Sequence, residues 1–123
     1  MTINYMNTQH MFTNKIIIFG INDLAELAHF YFMNELRLGY NDPLPVAFTV
    51  NEEYLTQDTF HDLPVISFED IEQHYSPSEY TLFAPIANND LREKIYNEGK
   101  QKGYKFISYI SFKCTNFAKS IGE

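Results

Sequence analysis

Apolar and polar positions along the chain separate strand-like from helix-like segments. Lys15 to Gly20 reads KIIIFG, four consecutive apolar residues, three of them β-branched, closed by glycine. A short apolar run with a turn signal behind it predicts a strand buried on both faces, as in a parallel sheet. From Asp23 the text DLAELAHFYFMNELRLG sets Leu24, Leu27, Ala28 and Tyr31 on one helical stripe, with Ala25, Phe32 and Leu36 widening it and Gly39 as its stop. Leu44 to Val50 predicts a second strand, with Pro45 at an edge or among its first residues. Asn51 to Asp62 is polar and reads as loop. Leu63 to Ile66 predicts a short strand, and Ser67 to Tyr75 a short helix with Phe68 and Ile71 inward, ended by Pro77. Tyr80 to Ile86 predicts a strand, Asn89 to Gly103 a helix with Leu91 and Ile95 inward, and Lys105 to Ile110 a last strand. Residues 1–14 are polar, lack periodicity and read as a loosely ordered arm.

Helix starts are marked by spacing. Asp23 and Glu26, Asp90 and Glu93, and Ser67 and Asp70 each place a capping type three positions before an acid, so the first member is expected to cap the N3 amide. The alternation of strands and helices predicts an α/β domain of three layers, with a mostly parallel sheet of about five strands. In such sheets ligands sit beyond the carboxyl ends of the strands, at the point where strand order reverses. The loops Gly20 to Asp23 and Pro85 to Asn89, with a third at Val50 and Asn51, are therefore the expected lining of a site.

Length and composition narrow the function. The 123 residues suit one domain, and 45% hydrophobic content, with 11 Phe and 9 Tyr, excludes disorder for most of the chain. A net charge of −7 works against binding nucleic acid or an anionic membrane, while leaving room for one small anion held by backbone N–H groups. The lone cysteine, Cys114, excludes an internal disulfide and a cysteine zinc site. The longest apolar run is too short to span a bilayer or to form a signal segment, and a cytoplasmic location is the expectation.

Candidate chemistry lies in the two loops. Gly20 stands alone where a dinucleotide fingerprint wants three glycines, and the Asp23 carboxylate competes with a phosphate at the helix mouth; both argue against NAD or FAD. In the second loop, Asn88 and Asn89 offer uncharged donors and acceptors, and Arg92 in the first helical turn adds a guanidinium. Together with free helix N–H groups these suit a diphosphate or a pyrimidine edge; they equally suit caps and a solvated surface arginine. The four histidines, His10, His29, His61 and His74, show no metal spacing and read as surface or packing residues. No Ser-His-acid or Cys-His arrangement is present, so the residues alone supply no catalytic machinery.

The stretch FAPIANNDLREKIYNEGKQKGYKFISYIS, residues 83–111, resembles the N-terminal domain of bacterial sugar acyltransferases of the hexapeptide-repeat class, of the sialic-acid O-acetyltransferase and bacillosamine-pathway N-acetyltransferase types. The stretch Ile86-Ala87-Asn88-Asn89-Asp90-Leu91-Arg92, the opening KIIIFG and LPVISFEDI at residues 63–71 carry the likeness, which extends over about residues 14–123. It implies a Rossmann-like domain over residues 15–111, followed at 112–123 by the first rung of a truncated left-handed β-helix. The chain would then be a domain fragment or a truncated relative.

The same resemblance implies a function. The domain would hold the nucleotide of a UDP- or dTDP-linked amino sugar, with Gly20, Ile21, Asn22, Ala87 and Asn88 as the contacts the resemblance carries over; Asp23, Asn51, Asn89 and Arg92, read from the loops themselves, complete the candidate site. A downstream β-helix, trimeric in that class, would supply the acyl-CoA site and the catalytic histidine for acylation in surface-polysaccharide or glycan biosynthesis. No cofactor, catalytic residue or metal is expected in this chain. The alternative is a non-catalytic docking or scaffold domain that has lost its ligand.

Overall fold

The computed structural model describes residues 15–35 and 44–107. The expected arm at 1–14, the expected helix stop at Gly39, the end of the last predicted strand and the expected β-helix start at 112–123 lie outside them.

β1 (Lys15–Phe19) is central because its run of apolar residues serves two cores at once. Ile16 and Ile18 point to one face of the sheet and Ile17 and Phe19 to the other, following the period of two. On the first face, α1 (Asp23–Phe30) and a following π-helical turn (Tyr31–Glu35) lay Ala25, Ala28, Tyr31 and Phe32 against Phe48, Val50, Val65 and Phe83. On the second, Phe68, Ile71, Ile95 and Tyr104 cover Ile17, Phe19, Ala47 and Leu82. Those four residues come from the 3-10 turn Phe68–Asp70, the short α2 (Ile71–His74), α3 (Asn89–Gln101) and the chain leaving α3. The result is the three-layer α/β architecture expected from the alternation.

Among the described residues the sheet has six strands. With β2 (Leu44–Val50), β3 (Thr59–Phe60), β4 (Leu63–Ser67), β5 (Thr81–Phe83) and β6 (Lys105–Phe106), the spatial order is β3-β4-β2-β1-β5-β6. Every neighbouring pair is parallel except β3 with β4. The five parallel strands therefore take the Rossmann order, and strand order reverses between β1 and β5. Pro45 is the second residue of β2, beside a bulge: Ile16 pairs with Pro45 and Ile17 with Ala47, leaving Val46 as the extra residue. A bulge is where an interior strand tolerates a residue that cannot donate.

Three expectations are corrected. The segment 51–62 is more than loop: it holds a 3-10 turn (Glu52–Tyr54) and β3, which folds back on β4 through His61 and Asp62 at φ 52° and 65°. Two consecutive left-handed residues make a two-residue hairpin turn that follows the twist of the strands. The helix expected at 67–75 is a 3-10 turn followed by one α-turn. Leu91 is 40% exposed rather than inward, whereas Ile95, one turn on, is fully buried.

α3 ends at Gln101, two residues before the Gly103 expected as its end. The Gly103 N–H donates to Lys100 O and the Tyr104 N–H to Gly99 O, the paired bonds of a Schellman stop. Inside the helix, Gly99 is fixed by packing: a Cβ there would stand 2.5 Å from the Phe106 ring and 3.3 Å from Leu82. No described helix is long and apolar enough to cross a membrane.

Candidate functional site

At the carboxyl ends of β1 and β2 the structure opens a cleft of about 630 Å³. Its floor is Phe19, Gly20, Ile21 and Asn22; one wall is Val50, Asn51, Glu53, Tyr54 and Thr56; the other is Leu91 and Lys94 on α3. This is the side of the sheet on which ligands of doubly wound folds bind.

The floor is held by backbone. The Gly20 N–H donates to Thr49 O at 2.8 Å, and buried Thr49 in turn donates its hydroxyl to Ile66 O at 2.7 Å. Gly20 sits at φ +114°, a conformation that costs little only without a side chain. The chain then enters α1 through Asn22, whose side chain accepts from the Ala25 N–H at 3.1 Å. The cap of α1 is therefore Asn22 and not Asp23, which occupies the first helical position and does not line the cleft.

The β2 wall is held by a carboxylate. Glu69 accepts from the Asn51 side-chain amide at 3.2 Å, the Glu52 N–H at 2.9 Å and the Ser67 hydroxyl at 3.1 Å. Partial burial opposes its charge, but these donors outweigh that and hold its carboxyl below the usual glutamate value. Ser67 thus serves Glu69 and caps no helix N–H, contrary to the capping pattern read from the sequence.

The second loop turns inward on itself. Asn88, not Asp90, caps α3 by accepting from the Leu91 N–H at 2.9 Å. The Arg92 guanidinium donates to Ile86 O at 3.1 Å and to the Asn89 side-chain oxygen, bracing the loop it follows. Asn89 and Arg92 line a separate cleft of about 390 Å³ with Phe83, Ala84, Glu93, Tyr96, Phe106 and Ile107. Gly20, Ile21, Asn22 and Asn51 are thus brought together, Asn89 and Arg92 lie in the neighbouring cleft, and Asp23, Ala87 and Asn88 line neither.

Sequence reasoning missed Glu53, Tyr54, Thr56 and Lys94. Glu53 is an acid three residues beyond β2, a place where Rossmann folds put an acceptor for ribose hydroxyls. The histidines are also less scattered than they read: the His29 ring stacks on His61 at 5.0 Å, and His61 Nε2 lies 3.2 Å from Glu26. Among the described residues no group of three His, Cys, Asp or Glu side chains is placed to hold a metal ion.

No protein-family model matches the chain, and no curated protein matches it. Solved structures do share its fold. The acetyltransferase domain of PglB from Neisseria gonorrhoeae FA1090, in complex with acetyl coenzyme A, is similar at TM-score 0.54 and 16% identity over 75% of this chain and 41% of that one. A second structure of the same domain gives TM-score 0.55, also at 16% identity, over 75% of this chain and 42% of that one. The methyltransferase FkbM from Methylobacillus flagellatus KT is similar at TM-score 0.62 and 15% identity over 96% of this chain and 30% of that one. The chain spans less than half the length of each. Its Rossmann-like fold is one found in both an acetyltransferase domain and a methyltransferase.

Proposed function

We propose that the chain is the nucleotide-sugar-binding N-terminal domain of a sugar acyltransferase, holding a UDP- or dTDP-linked amino sugar. The observation that carries this reading is the cleft at the carboxyl ends of β1 and β2, whose volume of about 630 Å³ falls in the range of small-ligand sites. Gly20, Ile21 and Asn22 form its floor and Asn51 its wall, and the Glu53 carboxylate is the acceptor for ribose hydroxyls. Ala87, Asn88, Asn89 and Arg92 shape the adjoining loop. The likeness of fold to an acetyltransferase domain supports the class.

Acyl-CoA belongs to a downstream β-helix in this reading. Among the described residues each of the two clefts is lined by one basic side chain, Lys94 or Arg92, and the latter is engaged with its own loop. That is a poor match to the several phosphates of coenzyme A.

Isothermal titration with UDP and dTDP tests the reading, with S-adenosylmethionine as the control that a methyltransferase fold calls for. Binding of either nucleotide with a dissociation constant between about 1 μM and 1 mM, −8 to −4 kcal/mol, is expected. No binding of either nucleotide at millimolar concentration would favour the docking or scaffold reading, for which the self-engaged Asn88 and Arg92 speak.

A further inference from the structure

Resting on the nucleotide-binding reading, we propose that the base lies between the Tyr54 ring and the Leu91 side chain, and that Lys94, not Arg92, neutralises the phosphates. Single exposed apolar side chains are ordinary on a protein surface. Here two large ones, Tyr54 at 62% and Leu91 at 40% exposure, line the same cleft from different elements, the loop after β2 and the first turn of α3. A flat, apolar-faced group entering between them covers both, and a nucleobase offers such a face on each side.

Lys94 follows Leu91 by three positions, so the two share a face of α3. Lys94 lines the cleft and makes no hydrogen bond or ion pair among the described residues. Arg92 lies off that face, and its guanidinium is engaged by Ile86 O and Asn89. Among the described residues Glu53 is the acidic side chain that lines the cleft. A doubly anionic phosphate is therefore drawn to the Lys94 side of the cleft, which leaves Glu53 to the sugar hydroxyls. The ligand class is a nucleoside diphosphate seated base-first against Tyr54.

Titrations of uridine, UDP and inorganic pyrophosphate into the full chain and four variants test this. Tyr54→Ala should weaken uridine and UDP alike, by roughly 5- to 150-fold, the usual loss for a stacking aromatic. Tyr54→Phe, which keeps the ring, should restore both. Lys94→Gln should weaken UDP and pyrophosphate, UDP by roughly tenfold at low salt and less as salt is added, and leave uridine unchanged. Lys100→Gln, which removes the same charge farther along α3, should change none of them. UDP binding that survives both Tyr54→Ala and Lys94→Gln overturns this inference while leaving the nucleotide reading in place. Failure of the unaltered chain to bind either UDP or dTDP overturns both.

Discussion

Asn51 and Glu69, 18 residues apart in the chain, meet through a hydrogen bond of 3.2 Å from the Asn51 amide to the Glu69 carboxylate. The bond joins the exit of β2 to the exit of β4, so the wall carrying Glu53 and Tyr54 is fixed by a residue that does not line the cleft. Glu69→Ala should weaken UDP binding several-fold by freeing that wall, and Ser67→Ala should do so less, since two of the three donors to the carboxylate remain. Titration of the two variants checks the order.

The same carboxylate sets an acid limit. Its folded-state value lies below the ordinary 4.5, so its contribution to stability is fully present above that value and is lost as pH falls through the lower, folded one. Melting temperatures measured from pH 6 to 3 should fall less steeply for Glu69→Gln than for the unaltered chain.

His29 gives a second, milder acid step. Burial, with the nearby His61, depresses its value, and Glu26 only partly offsets this. The neutral ring is the folded form, so stability is full above the ordinary histidine value of 6.5 and declines below it. His29→Gln should abolish the part of the melting-temperature decline that begins at that pH. An unchanged profile would place the acid sensitivity elsewhere.

The observed caps give a stability test with a clear sign. Asn22→Ala and Asn88→Ala should each cost about 0.5–2 kcal/mol, whereas Asn→Asp at either site should cost little, because the side-chain acceptor is kept. Asp23→Asn should leave stability almost unchanged, since Asn22 holds the cap. Urea denaturation separates these outcomes.

Gly99→Ala sets helix propensity against packing. Alanine gains up to about 1 kcal/mol in a helix interior. Its methyl would meet the Phe106 ring at 2.5 Å, however, and that ring already leans on Tyr96 at 4.8 Å. Overpacking of this kind costs about 1–3 kcal/mol, so a net loss of stability is expected, and Phe106→Leu in the same chain should recover part of it.

Much of the scaffold was legible in the sequence because its signals are local. The KIIIF run, the Leu44–Val50 strand and the α3 stop each follow from a period or a glycine within a few residues. β3 was not legible because its turn is His-Asp, with neither the glycine nor the asparagine that usually marks two left-handed positions. The caps were misplaced by one or two residues because Asn22 and Asp23, and Asn88, Asn89 and Asp90, are adjacent residues of equal capping ability. Leu91 fits an inward helical period with Ile95, yet it lies in the first turn of α3, where the helix faces the cleft instead of the sheet. The walls of the cleft were least legible: Tyr54 and Lys94 come to line one cleft only through the order of the strands, and nothing in either local pattern refers to the other.

The two-sided role of β1 has a consequence for how the domain comes apart. Ile16 and Ile18 belong to one core and Ile17 and Phe19 to the other, so neither core can be assembled while that five-residue strand is detached. The helical layers on the two faces are thus thermodynamically coupled through one short segment, and loss of either exposes apolar surface that the other needs. Unfolding should be a single cooperative event. The amides of Ile17 and Ile18 should exchange with solvent only through global opening, at the slowest rate in the domain, while those of the β3–β4 hairpin exchange through local opening well before it.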